Sequence, residues 1–437
     1  MHAREHGSIP VDDATTITDV ICTAGRAGFF FDDQAAIRTN AAHDGFRYEG
    51  SPETPGFTTI RQPGESVSVI LVLSDGGVVH GDCVAVQYSG AGGRDQLFTA
   101  SAVVATIDQH VRPLLIGARL SSFRALADRV DRHTVHGILL HTAVRYGVSQ
   151  AILAAAAHAR GVTMAEVIRD EYRTGCPLTV VPMFAQTGDD RYDNADKMIL
   201  KEVDVLPHGL VNNAATKVGA RGEIFLAYVR WVRDRVLALR ARTDYAPLLH
   251  FDCYGTIGEV FHGDVSRIAD YLSDLAEVAE PFQLRIEHPL DAGSRSAQIA
   301  TMACLRRSLK ERDIPVEVVV DEWCNTLEDI EAFVAGEAAD VIHVKMPDLG
   351  SVTNSIEALL FVRANGLRAY CGGSCNETDR SAQISAHVAM ACGADQVLAK
   401  PGMGVDEGLL IVGNEMARVA ALVTRREQVA IQTSGVL

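Results

Sequence analysis

A chain of 437 residues, 47% hydrophobic and 22% charged, is long enough for a large core and too apolar for disorder. Its formal net charge of -16 argues against nucleic acid or an anionic membrane surface as the main partner. Nine scattered cysteines without a CxxC pair argue against a zinc ribbon or a secreted disulfide framework and fit a reducing cytoplasm. The opening MHAREHGSIP lacks an apolar leader core, and no apolar run reaches membrane-spanning length. Residues 1–16 therefore read as a polar extension. From Ile17 to Tyr88 the pattern is strand-like, and Ser68–Leu73 and Val78–Tyr88 flank a Ser74-Asp75-Gly76-Gly77 turn, a β-hairpin signal. The glycine-rich loop Ser89–Asp95, with Gln87 just before it, lacks the P-loop lysine and the GxGxxG spacing, so a nucleotide reading is weak. Ala102–Asp170 is helical in pattern, and its Ala151–Ala157 stretch is apolar all round, which predicts a buried helix. Residues 17–172 thus read as an α+β domain.

After that the rhythm changes. Eight short apolar runs alternate with amphipathic segments: Leu178–Phe184, Leu200–Leu206, Pro247–Cys253, Phe282–Glu287, Pro315–Asp321, Val341–Lys345, Leu367–Cys371 and Gln396–Lys400. Eight βα units over about 250 residues is the size of a TIM barrel. An open doubly wound sheet is the alternative, and the missing GxGxxG favours closure. Residues 173–437 are assigned to the barrel and a C-terminal helix.

Three of these runs carry an acid at or next to their last residue: Asp252, Glu287 and Asp321, spaced 287 − 252 = 35 and 321 − 287 = 34 residues apart. Each gap is about one βα unit, so the carboxylates fall at the same end of consecutive strands. Three converging carboxylates repel unless a cation sits among them. Oxygen-only ligands with open positions suit Mg²⁺. Lys345 ends the sixth run, where a lysine must be paired, hydrated or working; taken alone it could simply snorkel. His208 lies just past the second run, four strands away and so diametrically opposed. Alone it reads as a loop histidine, and its position makes it a second base. A divalent cation flanked by two bases suits proton removal next to a carboxylate, because the cation stabilises the enediolate that forms. His250 and His262 read as structural, and Asp189, Asp190 and Asp193 as a solvated helix start.

The segments GDCVAVQYSGAGGRD, FAQTGDDRYDNADKM, LPHGLVNN, HFDCYGTIG, VVDEWCNT, VKMPDLG, YCGGSCNETDRSA and VLAKPGMGVDEG resemble methylaspartate ammonia-lyases of the enolase superfamily. The resemblance runs from about Ile17 over nearly the whole chain. It implies an enolase-like α/β fold, a modified TIM (β/α)8 barrel with an N-terminal α+β capping domain. It also implies reversible elimination of ammonia from L-threo-3-methylaspartate to give mesaconate. Asp252, Glu287 and Asp321 become Mg²⁺ ligands, with a monovalent cation such as K⁺ as activator. Lys345 becomes the base for the threo substrate and His208 the base for the opposite face. Gln87, Gln186, Ser374 and Cys375 become contacts to the substrate's carboxylates and amino group. A cytoplasmic homodimer working in glutamate degradation is implied as well. The chain departs from the family pattern at His343 (usually Gln), Ser374 (usually Thr), His288 in IEHP and the PHGLVNN loop. Ser374 keeps the hydroxyl. His343 shares a side of its strand with Lys345, so it joins the substrate-binding set and could shift the range of alkylaspartates accepted. Its neutral form is expected, since Mg²⁺ and Lys345 both disfavour another cation. A racemase or cycloisomerase of the same superfamily is the alternative; the His343-Val344-Lys345 strand lacks the Lys-x-Lys pair usual in those racemases.

Overall fold

The computed structural model describes residues 15–38, 41–90 and 94–434. Most of the expected polar extension and positions 91–93 of the glycine-rich loop lie outside these residues. At the near edge of the extension, Thr16 forms a β-bridge with Arg119.

The N-terminal unit is a three-stranded antiparallel sheet with helices on it. Ile17–Asp32 pairs with Arg61–Leu73, which pairs with Val78–Cys83 across the expected turn. Val67, Val69, Leu71 and Leu73 alternate along the middle strand, and all four are buried, the period of a half-covered sheet. The helix Thr142–Arg160 packs on this sheet with Ala151–Ala157 wholly buried, as its apolar circumference predicts. The approach is close. A Cβ on Gly147 would lie 2.3 Å from the Cys83 backbone nitrogen, and one on Gly81 would lie 2.4 Å from the Gly147 carbonyl oxygen. Glycine at both positions lets backbone touch backbone. The expected helical stretch Ala102–Asp170 is interrupted by a small hairpin, Thr134–Val135 with Ile138–Leu139. Its turn residues His136 and Gly137 have φ of 53° and 80°, the two-residue geometry that suits antiparallel twist.

Eight parallel strands then close into a barrel: Met183–Phe184, Val205–His208, Leu248–Asp252, Leu284–Glu287, Val316–Val320, Val341–Lys345, Arg368–Gly372 and Gln396–Leu398. The sheet is closed, and the two largest departures from the expected strand bounds fall on the first two strands. The first strand keeps only Met183 and Phe184 of its run, directly after Pro182, which cannot donate to a ladder. The second begins at Val205 rather than Leu200. Leu200 instead ends the helix Asp193–Leu200, is 66% exposed, and precedes a turn at Glu202 with φ 52°. His208 is consequently the last strand residue and not a loop residue. A separate apolar cluster of Phe184, Val205, Val319, Val341, Tyr370 and Leu398 fills the barrel interior below the strand ends. Among the described residues, no single helix is long and apolar enough to cross a membrane.

Candidate active site

Strand register brings the sequence-derived residues to one end of the barrel. Asp252 and Glu287 are paired neighbours at the ends of the third and fourth strands. Asp321 directly follows the fifth strand, Lys345 ends the sixth and His208 ends the second. A cavity at this end is lined by Gln87, Gln186, His208, Asp252, Asp321, His343, Lys345, Ser374 and Cys375. Glu287 is the one sequence-derived site residue not on its wall. It lies deeper, 1% exposed, and is held by three groups. His343 Nδ1 is 2.8 Å from its Oε1, His250 Nε2 is 2.8 Å from its Oε2, and the Tyr370 hydroxyl donates to both oxygens at 2.9 and 3.0 Å.

The charges here are tightly interlocked. Lys345 Nζ lies 2.7 Å from Asp321 Oδ1 and donates to Oδ2 at 2.9 Å. Burial favours the neutral amine, but Asp321 and Glu322 outweigh it and hold the lysine above its ordinary pKa. Asp252 is pushed well above the usual carboxylate range by burial and by repulsion from Glu287 and Asp321. His208 Nε2 is 3.4 Å from Asp252 Oδ2, yet burial dominates and lowers the imidazole to about 4. It is therefore neutral at pH 7. His343 is pulled two ways. Burial lowers its pKa, and the Asp321 and Glu287 carboxylates raise it to a net upward shift. The Gly373 backbone N–H, 3.3 Å from Nε2, nevertheless donates to a lone pair there, which leaves Nδ1–H for the carboxylates. A cation among those carboxylates would remove the upward pull.

The residues fit such a cation. Asp321 Oδ1 is buried and accepts no aligned hydrogen bond. Atoms of Glu287, Asp321 and His343 able to ligate a metal lie within 4.8 Å of one another. Asp252 stands to the side, beside His208. His343 is hydrogen-bonded to Glu287 Oε1 through Nδ1, so in this arrangement it orients that carboxylate rather than competing with it. The remaining donors are carboxylate oxygens, the set a hard divalent ion prefers.

Several contributors were invisible in the sequence. His250, read as structural, is wholly buried and orients Glu287 from below, with its Nδ1 3.0 Å from Gln396 Nε2. Arg94, within the glycine-rich loop Ser89–Asp95, donates from Nε to both Asp348 oxygens at 3.1 and 2.9 Å and reaches Glu322 at 3.3 Å. Lys400 and Glu377 form a fully buried pair at 2.7 Å. Glu377 also accepts from the Tyr146 hydroxyl at 2.7 Å and from the Ser374 backbone N–H at 3.0 Å. The partners of Arg94 lie more than two hundred residues away in sequence, so spacing carried no signal for them. The DDRYD cluster is partly as expected: Asp193 opens the helix Asp193–Leu200, while Asp189 pairs with Lys217 at 3.6 Å.

Two family models match consecutive parts of the chain: methylaspartate ammonia-lyase N-terminus over residues 15–173 and C-terminus over residues 175–425. Methylaspartate ammonia-lyase of Clostridium tetanomorphum is 57% identical over 94% of this chain and 100% of that protein. The solved Mg-complex of β-methylaspartase from the same organism superposes with a TM-score of 0.91, covering 94% of this chain and 100% of that one at 57% identity. The Citrobacter amalonaticus enzyme containing (2S,3S)-3-methylaspartic acid superposes at 0.92 with 48% identity and the same coverage. Muconate lactonizing enzyme from Pseudomonas fluorescens, 18% identical, shares the fold at 0.59 over 88% of each chain. With both halves matched and the strand-end acids in place, the chain belongs to the methylaspartate ammonia-lyase family.

Proposed function

We propose that this enzyme, a carbon–nitrogen lyase, catalyses the reversible elimination of ammonia from L-threo-3-methylaspartate to give mesaconate. The observation that carries the reading is that Lys345 and His208 line one cavity from opposed strands, together with the Asp252 and Asp321 carboxylates. Family membership supports the same reaction. In this reading Asp252, Glu287 and Asp321 would hold Mg²⁺, and its charge would stabilise the negative charge that C3 deprotonation develops on the adjacent carboxylate. Lys345 takes the C3 proton of the threo substrate. It acts as a free amine, which requires the upward pull of Asp321 to be cancelled by positive charge at that carboxylate. His208, already neutral, faces the opposite side of the carbon and serves the erythro substrate. The electron pair then forms the C2–C3 double bond and expels the amine from C2. Gln87, Gln186, His343, Ser374 and Cys375 hold the substrate's carboxylates and ammonium. Residues 17–172 cap the site, residues 173–437 carry the chemistry, and the working unit is a cytoplasmic homodimer.

The test is incubation with L-threo-3-methylaspartate and Mg²⁺ while following mesaconate absorbance and ammonia. Equimolar release that stops on chelation and returns with Mg²⁺ is the expected result. Full turnover in metal-free protein would exclude the metal assignment. Inversion at carbon without ammonia release would favour the racemase reading.

A further inference from the structure

An ion pair in the capping sheet reaches the cavity through one side chain. The sheet register sets Asp32 directly opposite Arg61 on neighbouring antiparallel strands. Arg61 donates from Nε to Oδ1 at 2.8 Å and from Nη2 to Oδ2 at 2.7 Å, a two-point clamp on a carboxylate only 1% exposed. Phe29, Phe30, Phe46 and Tyr48 surround the guanidinium, with ring centres 4.4 to 5.6 Å from its carbon. Asp32 Oδ2 also accepts from Gln87 Nε2 at 2.6 Å. The Asp32 backbone N–H donates to the Gln87 carbonyl at 3.0 Å, so Gln87 is tied at both backbone and side chain.

A carboxylate clamped by a guanidinium offers only acceptors. The Gln87 amide must therefore turn its NH₂ toward Asp32. Its carbonyl Oε1 is left for the cavity corner, where Cys375 Sγ–H donates to it at 3.4 Å. An acceptor at this corner attracts ammonium N–H and disfavours a carboxylate. We infer that the Arg61–Asp32 pair is a positioning device that fixes which end of the Gln87 amide faces the substrate, and so makes this corner select the amine. The inference rests on the proposed ammonia-lyase reaction and deepens it.

The test uses the reverse reaction, addition of ammonia to mesaconate, with KM determined for each substrate. Asp32→Asn offers a donor as well as an acceptor, which frees the Gln87 amide to flip. KM for ammonia should rise about ten-fold, the effect of one charge-assisted hydrogen bond, with KM for mesaconate nearly unchanged. Gln87→Glu sets a carboxylate against Asp32 and should be strongly impaired. The double variant Gln87→Glu with Asp32→Asn restores a donor–acceptor pair and should be faster than Gln87→Glu alone, a coupling that mere loss of packing does not produce. Should Asp32→Asn yield no folded protein, Asp32→Ser also replaces the acceptor-only carboxylate with a group that can donate, and the same selective rise in ammonia KM is expected. An equal change in both KM values, no change in either, or a double variant no faster than Gln87→Glu overturns the inference while the wild type still adds ammonia normally. A wild type inert toward mesaconate and ammonia overturns the reaction itself, and the inference with it.

Discussion

Two adjacent glycines hold the Ser374–Cys375 corner in place. A Cβ on Gly372 would lie 1.9 Å from His343 Nε2, and one on Gly373 would lie 1.9 Å from Glu377 Oε2 and 2.3 Å from Lys400 Nζ. At Gly373 the neighbours are a buried ion pair that cannot swing into solvent. Gly373→Ala should therefore destabilise the protein by about 3 kcal/mol, the scale of a disturbed buried pair. Denaturant unfolding measures it, and a loss below about 0.5 kcal/mol would mean that the pair moves aside freely. His208 makes a separate prediction. It is neutral, and its strand opposes that of Lys345, so His208→Ala should slow turnover of erythro-3-methylaspartate far more than that of the threo isomer. Equal losses on both would contradict a base on each face. At this scale the sequence was readable wherever chemistry needs a residue type at a strand end, as with Asp252, Glu287, Asp321 and Lys345. It was silent on His250, because a buried histidine that orients a carboxylate looks like any other core histidine until the register is known.

Among elements, the barrel rhythm was legible because the strands are short, mostly apolar runs separated by amphipathic segments. The errors fell on strand starts. Leu200 is apolar but ends an amphipathic helix, and Pro182 shortens a run whose composition alone looks strand-like. The C-terminal helix Asp406–Ser434 was foreseen, but not how it is fastened. Its Glu415 is 2.9 Å from His387 Nε2 on the helix Asp379–Cys392, and His387 Nδ1 accepts from the Ala165 backbone N–H at 3.1 Å. One side chain thus joins three helices. Burial alone would raise the Glu415 pKa, but hydrogen bonds and charge from His387 and Arg418 overcome it and lower the group from 4.5 to about 2. A carboxyl depressed on folding stabilises above its unfolded pKa, and that stability is lost as pH falls through the folded value. Glu415→Gln should cost about 1 kcal/mol at neutral pH, since the group is partly solvated. Its stability should converge on the wild type's between pH 4.5 and about 2. A difference that stays constant across that window would assign the effect to packing instead.

The molecule as a whole is a barrel whose site is finished by its cap. Gln87 and Arg94 come from the N-terminal unit and line the same cavity as the strand-end acids, and Tyr146 reaches across to Glu377. The gathering of these acids and Lys345 at one end of the barrel was legible because family motifs and strand-end spacing both pointed to it. The cap's contribution beyond Gln87 was not, because Arg94 meets Asp348 and Tyr146 meets Glu377 across more than two hundred residues of chain. Pairings at that range are set by how two folded units dock, and no local pattern encodes them. The most direct measurement pairs the wild type with Lys345→Ala on L-threo-3-methylaspartate and Mg²⁺, following ammonia and mesaconate together. The expected result is equimolar release by the wild type and none above background by Lys345→Ala, which retains its fold. Mesaconate formed by Lys345→Ala at the wild-type rate, or a wild type that forms none, would contradict it.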